Sequence, residues 1–263
     1  MEFENSTSER TEVPNDYHQV DMISTLQNIK VLLPEYENAT LPGFQLGIHN
    51  LETKYKKFRR VRGDGNCFYR SCLFGYLEGL LTKHIEGSLK EIADIERKRM
   101  LKTITDSKEE LIQFGYSEIA IESFYDVTLE VLENLFHYSS EQLLESFQES
   151  GLSDYYTWYM RLLTSLNMKK NVEKYLPFID NVDINSYCLR EVEPMGKEVE
   201  MMMVMSLTEY LGIKLKVEYL DGKYEDDNKL PCVVFNVDET KKEENEFDVY
   251  LLYRPGHYDI LYL

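Results

Sequence analysis

The spacing of apolar residues changes at Gly212, and this change limits the fold more than any other feature of the sequence. Before it, apolar positions recur every three or four residues, as in amphipathic helices. After it, Ile213, Leu215, Val217 and Tyr219 alternate with charged residues, as in a half-exposed β-strand. Helices that precede strands along a chain predict an α+β or mixed α/β domain.

Turn and loop signals separate the predicted strands. Asp221-Gly222 predicts a turn, and Arg254-Pro255-Gly256 predicts a tight hairpin turn. A charged loop is expected over Asp238–Glu246. The remaining strands are predicted over Cys232–Val237, Phe247–Tyr253 and His257–Leu263.

Apolar stripes and capping signals predict the helices. Ser107 and Ser139 each precede a Glu or Gln by three residues, which is the pattern of a capping box at a helix start. Gly115 and Gly212 are plausible helix stops, and Pro34 should end the first stripe. The predicted helices cover Met22–Leu33, Leu51–Phe58, Cys67–Leu81, Ile121–Leu135, Tyr156–Leu163 and Lys197–Leu211.

Charge and composition exclude several classes of function. The 263 residues carry 29 basic and 47 acidic side chains, so the formal net charge is −18 and phosphates would be repelled. We therefore do not expect nucleic acid to be the main partner. We interpret the basic stretch Lys54–Arg62 as a solvent-exposed helix that leads into the first residues of a strand. Five-residue apolar runs, Met201–Met205 being one, are too short for a membrane span, which needs about 20 residues.

Cysteine usage indicates the compartment. The N-terminus has neither a basic start nor the apolar stretch of a secretory signal, so we expect a reducing compartment, the cytoplasm and also the nucleus. The sequence lacks a C-x-x-C pair, a phosphate-binding loop and a His-Glu-x-x-His motif, and we expect no metal and no cofactor. All four cysteines are expected to be thiols: Cys67, Cys72, Cys188 and Cys232.

The segment Asp64-Gly65-Asn66-Cys67 is the strongest candidate for chemistry. Its glycine-rich loop leads into a helix whose first turn holds Cys67, where free backbone N–H groups and the helix dipole favour a thiolate. The same loop amides can form an oxyanion hole. The alternative is that Cys67 is a small apolar residue at the start of a buried helix. We expect the other three cysteines to be thiols buried in the core.

A cysteine nucleophile needs a base and an orienting group. Of the five histidines, His257 begins a strand and shares its face with Asp259, which can accept the Nδ1 proton and leave Nε2 as the base. The alternative is a polar face on an edge strand. The other four histidines are expected at the surface: His18, His49, His84 and His137.

These residues occur in stretches that resemble a known family. Asp64–Arg70 resembles the nucleophile motif of the ovarian-tumour (OTU) cysteine proteases, and more closely that of the otubains, a branch of deubiquitinases. The similarity extends from about Leu41 to the C-terminus. Three further stretches carry it: Arg161–Ser165, Glu191–Glu198 and Val249–Tyr262.

The resemblance implies a papain-like OTU fold, with a central, mostly antiparallel sheet flanked by helices and a helical subdomain. The OTU-type protease domain is expected over 41–263, where the similarity lies. The polar composition of residues 1–16 predicts a disordered tail, and the apolar stripe that follows predicts an N-terminal helical arm (17–40). By motif position, Cys67 is the nucleophile, His257 the base and Asp259 the orienting acid. Asp64 belongs to the site and shapes the loop, with Gly65 and Asn66, that would hold the oxyanion.

The implied activity is hydrolysis of isopeptide bonds between ubiquitin and lysine, in chains or conjugates, by a monomeric enzyme. Ubiquitin and polyubiquitin are the expected partners, together with E2 ubiquitin-conjugating enzymes. The alternative is a non-catalytic regulator that binds ubiquitin or a charged E2 and blocks conjugation. We also expect that removing residues 1–40 leaves cleavage of a minimal ubiquitin substrate intact.

Overall fold

A computed structural model describes residues 20–179, 182–223, 230–236 and 248–263. The predicted tail (1–16), His18 and the charged loop Asp238–Glu246 lie outside these ranges. Within them, no helix combines the length and the apolar character that crossing a membrane requires.

Nine α-helices form most of the described part of the chain, and several begin or end where local chemistry predicts. Helix α2 begins at Cys67, Ser139 forms the predicted capping box, and Gly212 ends the ninth helix with φ +66°. The helices are α1 (Gly43–Lys54), α2 (Cys67–Glu86), α3 (Lys90–Gln113), α4 (Glu118–Glu133), α5 (Ser140–Gln148), α6 (Ser150–Lys170), α7 (Val172–Tyr175), α8 (Ile184–Tyr187) and α9 (Met201–Leu211). Short 3₁₀ or π-helical segments lie at Ile29–Tyr36, Leu135–His137, Leu176–Phe178 and Cys188–Val192.

In the described ranges six strands form one sheet in the order β1-β2-β6-β5-β3-β4. Neighbouring strands are antiparallel except β3 and β5, which are parallel, so the predicted mostly antiparallel sheet is confirmed. The strands are β1 (Gln27–Asn28), β2 (Lys57–Arg59), β3 (Leu215–Tyr219), β4 (Cys232–Phe235), β5 (Val249–Arg254) and β6 (His257–Tyr262). Strand β6 therefore lies inside the sheet, and not at its edge.

The central strands β5 and β6 are covered on both faces, and strand alternation decides which residues meet which layer. Leu251 and Ile260 face the helical layer that contains α2 and α6. Leu252 and Leu261 face the opposite layer, built from α1 and the 3₁₀ helix Ile29–Tyr36. Helix α2 packs against both β5 and β6, so its N-terminus is fixed relative to the C-terminal hairpin.

The N-terminal segment differs from its prediction. The helix predicted over Met22–Leu33 is wrong: Ile23 forms a β-bridge with Val61, residues 27–28 form β1, and only the residues after Asn28 are helical. Extended pairing with β2 satisfies backbone groups that a helix would have bonded internally. The domain boundary at residue 41 stays a prediction, although Leu32 lies in the core of the sheet's second face.

The helix predicted over Leu51–Phe58 is wrong at its end, because α1 stops at Lys54 and Phe58 lies in β2. Four further expectations are wrong for reasons of packing. Ser107 lies inside α3 rather than at a helix start, and its hydroxyl bonds the Ile104 carbonyl and the Tyr159 hydroxyl. Arg59 is buried against Glu78 at 2.7 Å instead of being solvated. Glu218 is fully buried and accepts a hydrogen bond from Tyr55, although its strand was expected to expose it. Cys232 is exposed, not core.

We expect Leu32→Ala to lower the free energy of unfolding by about 3 kcal/mol, because it deletes buried methyl groups and leaves a cavity. Leu32 is 0% exposed, whereas its neighbour Val31 is exposed. Urea unfolding of both alanine variants measures the difference, and Val31→Ala should stay within about 0.5 kcal/mol of wild type. Equal, small losses would contradict the packing of this segment on the sheet.

Candidate active site

Cys67 is the first residue of α2 and is almost fully buried, at 5% exposure. The loop before it is shaped by Asp64. One Asp64 oxygen accepts from the Asn66 amide at 2.9 Å, and both oxygens accept from the buried Arg70 guanidinium at 2.9 and 3.0 Å. Burial opposes the Asp64 charge, but these bonds hold the pKa of its carboxyl below the usual range. Asp64 therefore takes the predicted loop-shaping position.

Gly65 occupies a backbone conformation and a space that no other residue fits. Its φ is +76°, and a Cβ atom there would lie 2.3 Å from the carbonyl oxygen of Gly196. The nucleophile loop thus packs directly on the segment before α9. The Asn66 amide already donates to Asp64, and the oxyanion role of the loop stays a prediction.

Arg161 of α6 joins these two loops from beneath and is 0% exposed. Its guanidinium donates to the carbonyls of Gly65, Val192 and Lys197 at 2.8, 2.9 and 2.7 Å. It also donates to Oδ1 of Asn66 at 2.9 and 3.2 Å, and that oxygen accepts from the Gly196 amide as well. A rigid fork of donors suits this role, because each bond fixes a different backbone segment.

His257 and Asp259 lie side by side on β6, as the spacing predicts, and both are buried. However, His257 Nε2, not Nδ1, lies 2.9 Å from Asp259 Oδ1. The predicted assignment of the two ring nitrogens is therefore wrong. Nδ1 is therefore the ring nitrogen left for proton exchange with a thiol. Cys67 is a hydrogen-bonding neighbour of the His257 side chain.

Asp259 is held by groups from three places. Its Oδ1 also accepts from the Val61 amide at 2.9 Å, and its Oδ2 accepts from Nη2 of Arg254. Burial alone would raise the pKa of the Asp259 carboxyl, but Arg254 and then His257 hold it far below its usual range. The carboxylate is therefore charged at every physiological pH, with one oxygen fixed toward the imidazole.

The charges around His257 favour its protonated form. Burial disfavours the imidazolium, yet Asp259 and Cys67 together raise the pKa of His257 to about 9. Since this lies above the ordinary value of about 6.5, the ionised cluster contributes stability below pH ~6.5. That contribution is lost as pH rises through about 9.

A cleft opens beside Cys67, with an empty volume of about 320 Å³ that includes space open to solvent. Two glycines, Gly65 and Gly256, lie along it, so parts of its wall carry no side chain. The remaining lining residues are Phe68, Glu198, Val199, Tyr253 and Tyr258. The fold thus places the Cys67 thiol on the wall of a partly aromatic cleft, and two residues of that wall, Gly256 and Tyr258, flank His257 in the sequence.

Comparison with known proteins identifies the family. The model of the family Peptidase C65 Otubain matches residues 15–263. The chain belongs to the otubain family. Ubiquitin thioesterase OTUB1 of Rattus norvegicus is 36% identical over 247 residues, covering 93% of this chain and 84% of the relative. The otubain-like ubiquitin thioesterase of Caenorhabditis elegans is 30% identical over 256 residues, covering 95% and 84%.

Solved otubain structures share the fold. A ceOTUB1 complex with ubiquitin aldehyde and UBC13~Ub has a TM-score of 0.82 at 29% identity and covers 94% of this chain and 95% of that one. An h/ceOTUB1 complex with ubiquitin aldehyde and UBCH5B~Ub has a TM-score of 0.81 at 29% identity and covers 93% and 91%. The OTU fold and the classification as an enzyme of a peptidase family, both expected from the sequence, are confirmed.

Sequence analysis gave no role to three residues that hold this otubain site together: Arg161, Arg254 and Glu35. Arg161 had a detectable signal, because a charge between Met160 and Leu162 in an apolar helix must find buried partners. Arg254 was assigned only to the hairpin turn.

In the described ranges no three His, Cys, Asp or Glu side chains form a potential metal site.

Proposed function

We propose that the chain is a deubiquitinating cysteine protease that hydrolyses isopeptide bonds between ubiquitin and lysine. The observation that carries the proposal is the grouping of Cys67, His257 and Asp259 beside a glycine-lined cleft. Relatives that cover more than nine-tenths of the chain are named ubiquitin thioesterases, which supports ubiquitin as the substrate.

In this mechanism the Cys67 thiolate attacks the carbonyl carbon of the C-terminal glycine of ubiquitin. The carbonyl oxygen becomes an oxyanion beside the loop that contains Gly65. Protonated His257 then gives its Nδ1 proton to the lysine amine as the carbon–nitrogen bond breaks, leaving a thioester on Cys67. Asp259 orients the ring throughout through Nε2.

Deacylation uses the same residues in reverse. Neutral His257 takes a proton from water, the hydroxide attacks the thioester carbonyl, and the Cys67 thiolate leaves. The products are the ubiquitin carboxylic acid, which loses its proton to solvent, and the regenerated imidazolium–thiolate pair. The absence of side chains at Gly65 and Gly256 suits the two unbranched glycines that end the ubiquitin tail.

The experiment that tests the proposal combines a panel of di-ubiquitins with a ubiquitin probe that carries a C-terminal electrophile. Wild type should cleave at least one linkage and form an adduct with one ubiquitin per chain. The exposed thiol of Cys232 provides the matched control, and Cys232→Ser should be labelled like wild type. No adduct and no cleavage, or an adduct that Cys232→Ser loses, would overturn the proposal.

A second function is supported by the solved relatives. The otubain structures in the comparison contain an E2~Ub conjugate together with ubiquitin aldehyde. We therefore propose that this chain also binds a charged E2 and slows ubiquitin conjugation. That activity would not need the Cys67 thiol, which separates the two functions experimentally.

A further inference from the structure

A line of alternating charges connects the N-terminal segment to the candidate catalytic residues. Glu35, in the 3₁₀ helix, accepts from Arg60 through Oε1 and from Nη1 of Arg254 at 3.0 Å through Oε2. The same Arg254 donates through Nη2 to Oδ2 of Asp259, which holds His257 through Oδ1. One buried guanidinium therefore bridges two carboxylates from distant parts of the chain.

Strand geometry explains why these groups meet. Arg254 follows Leu252 by two residues on β5, and Asp259 precedes Leu261 by two residues on β6. All four side chains therefore point to the sheet face covered by the 3₁₀ helix Ile29–Tyr36. Glu35 reaches this face from the last turn of that helix. The ion pairs follow from the packing of the N-terminal segment on the sheet.

The charge of Arg254 needs two partners. It is 0% exposed, so without the Glu35 charge the buried guanidinium would attract Asp259 more strongly and draw that carboxylate away from His257. Glu35 engages the other edge of the guanidinium and compensates for its charge. Asp259 then keeps one oxygen for Arg254 and the other for the imidazole.

We propose that Glu35 is a positioning residue for the catalytic triad, acting through Arg254 to keep Asp259 Oδ1 on the His257 ring. The inference rests on the proposed cysteine protease function and adds a residue from outside the nucleophile and histidine motifs. It also makes the segment before residue 41 part of the active site. It replaces the expectation that a chain without residues 1–40 cleaves a minimal substrate normally.

The titratable groups that face His257 come from three elements. Cys67 lies on α2, Asp259 on the same strand as His257, and Arg254 opposite it on β5. Glu198, before α9, lines the same cleft. Glu35 is separated from His257 by Arg254 and Asp259, so its effect on the ring is indirect.

The test compares Glu35→Gln with Glu37→Gln, since Glu37 is an exposed carboxylate beside the same helix. With a fluorogenic mono-ubiquitin substrate, Glu35→Gln should lower kcat about tenfold with little change in KM, because Glu35 does not touch substrate. The alkaline limb of the pH–rate profile should shift down by about half a pH unit, since one negative charge near the imidazolium is lost. Glu35→Asp should restore part of kcat, and Glu37→Gln should match wild type.

A wild-type kcat and pH–rate profile for folded Glu35→Gln would overturn the proposal. If the melting temperature fell while kcat and the pH–rate profile stayed at their wild-type values, the role of Glu35 would be structural only, and the proposal would also fail. The pH dependence of Cys67 alkylation by iodoacetamide provides a readout that needs no ubiquitin. If wild type cleaves no ubiquitin substrate, the proposed function fails, yet the alkylation profiles of the two glutamine variants still decide the role of Glu35.

Discussion

Cys67→Ala is expected to lose isopeptide cleavage by at least about 10⁴-fold, because the covalent intermediate cannot form without the sulfur. The substitution removes one buried atom at the first position of α2, so the free energy of unfolding should change by less than about 1 kcal/mol. Initial rates on di-ubiquitin and adduct formation with the electrophilic ubiquitin probe measure the first effect. Urea unfolding measures the second.

The same variant separates the two proposed functions. Inhibition of E2-dependent chain synthesis should survive Cys67→Ala, because binding of a charged E2 does not use the thiol. Residual cleavage within tenfold of wild type would show that another residue is the nucleophile. Loss of both activities in a folded Cys67→Ala protein would tie the inhibition to catalysis and remove the second function.

Arg161→Met is expected to have the second largest effect, on stability and on activity together. It removes the guanidinium donors from three carbonyls and leaves Asn66 Oδ1 with the Gly196 amide. We expect unfolding to become easier by about 4 kcal/mol, since each buried acceptor left unpaired costs 1–3 kcal/mol and water can reach some of them. Because the loop before Cys67 would lose these bonds, kcat/KM should also fall about 100-fold, which is the effect of misplacing reacting groups by about 1 Å.

Arg190 offers the matched control, because it is an exposed arginine on the π-helical segment whose side chain bonds one nearby carbonyl. Arg190→Met should remain within about 0.5 kcal/mol of wild type. Arg161→Lys should be intermediate, since an ammonium cannot span the same acceptors. A folded Arg161→Met protein with wild-type kcat/KM would show that the loop keeps its geometry without the clamp.

Local chemistry was enough to predict the parts of the site that depend on neighbouring residues. The Gly65–Cys67 loop, the helix that begins at Cys67 and the shared face of His257 and Asp259 all follow from short-range geometry. The tight turn before His257 follows in the same way. These features need no knowledge of which elements meet in space.

The rest depends on long-range packing, which periodicity does not encode. Glu218 reads as the exposed side of an alternating strand, but both faces of β3 are covered and Tyr55 supplies its partner. Glu35 follows the predicted helix Met22–Leu33 with no local signal of a buried partner, and the 3₁₀ helix places it against Arg254. In each case the position of the polar residue depends on a bond to a residue distant in the sequence, and no local sequence pattern identifies that residue.

The position of β6 has a consequence for how the molecule folds. It pairs with β2 on one side and β5 on the other, so among the described strands the pair β1–β2 joins the rest of the sheet through β6 alone. Until residues 257–262 dock, β2 and β5 each present an open edge on which another chain could build. The completed sheet and the group of Cys67, His257 and Asp259 therefore depend on the same docking step, and a molecule with β6 undocked carries an aggregation-prone gap and lacks the His257 imidazole beside its thiol.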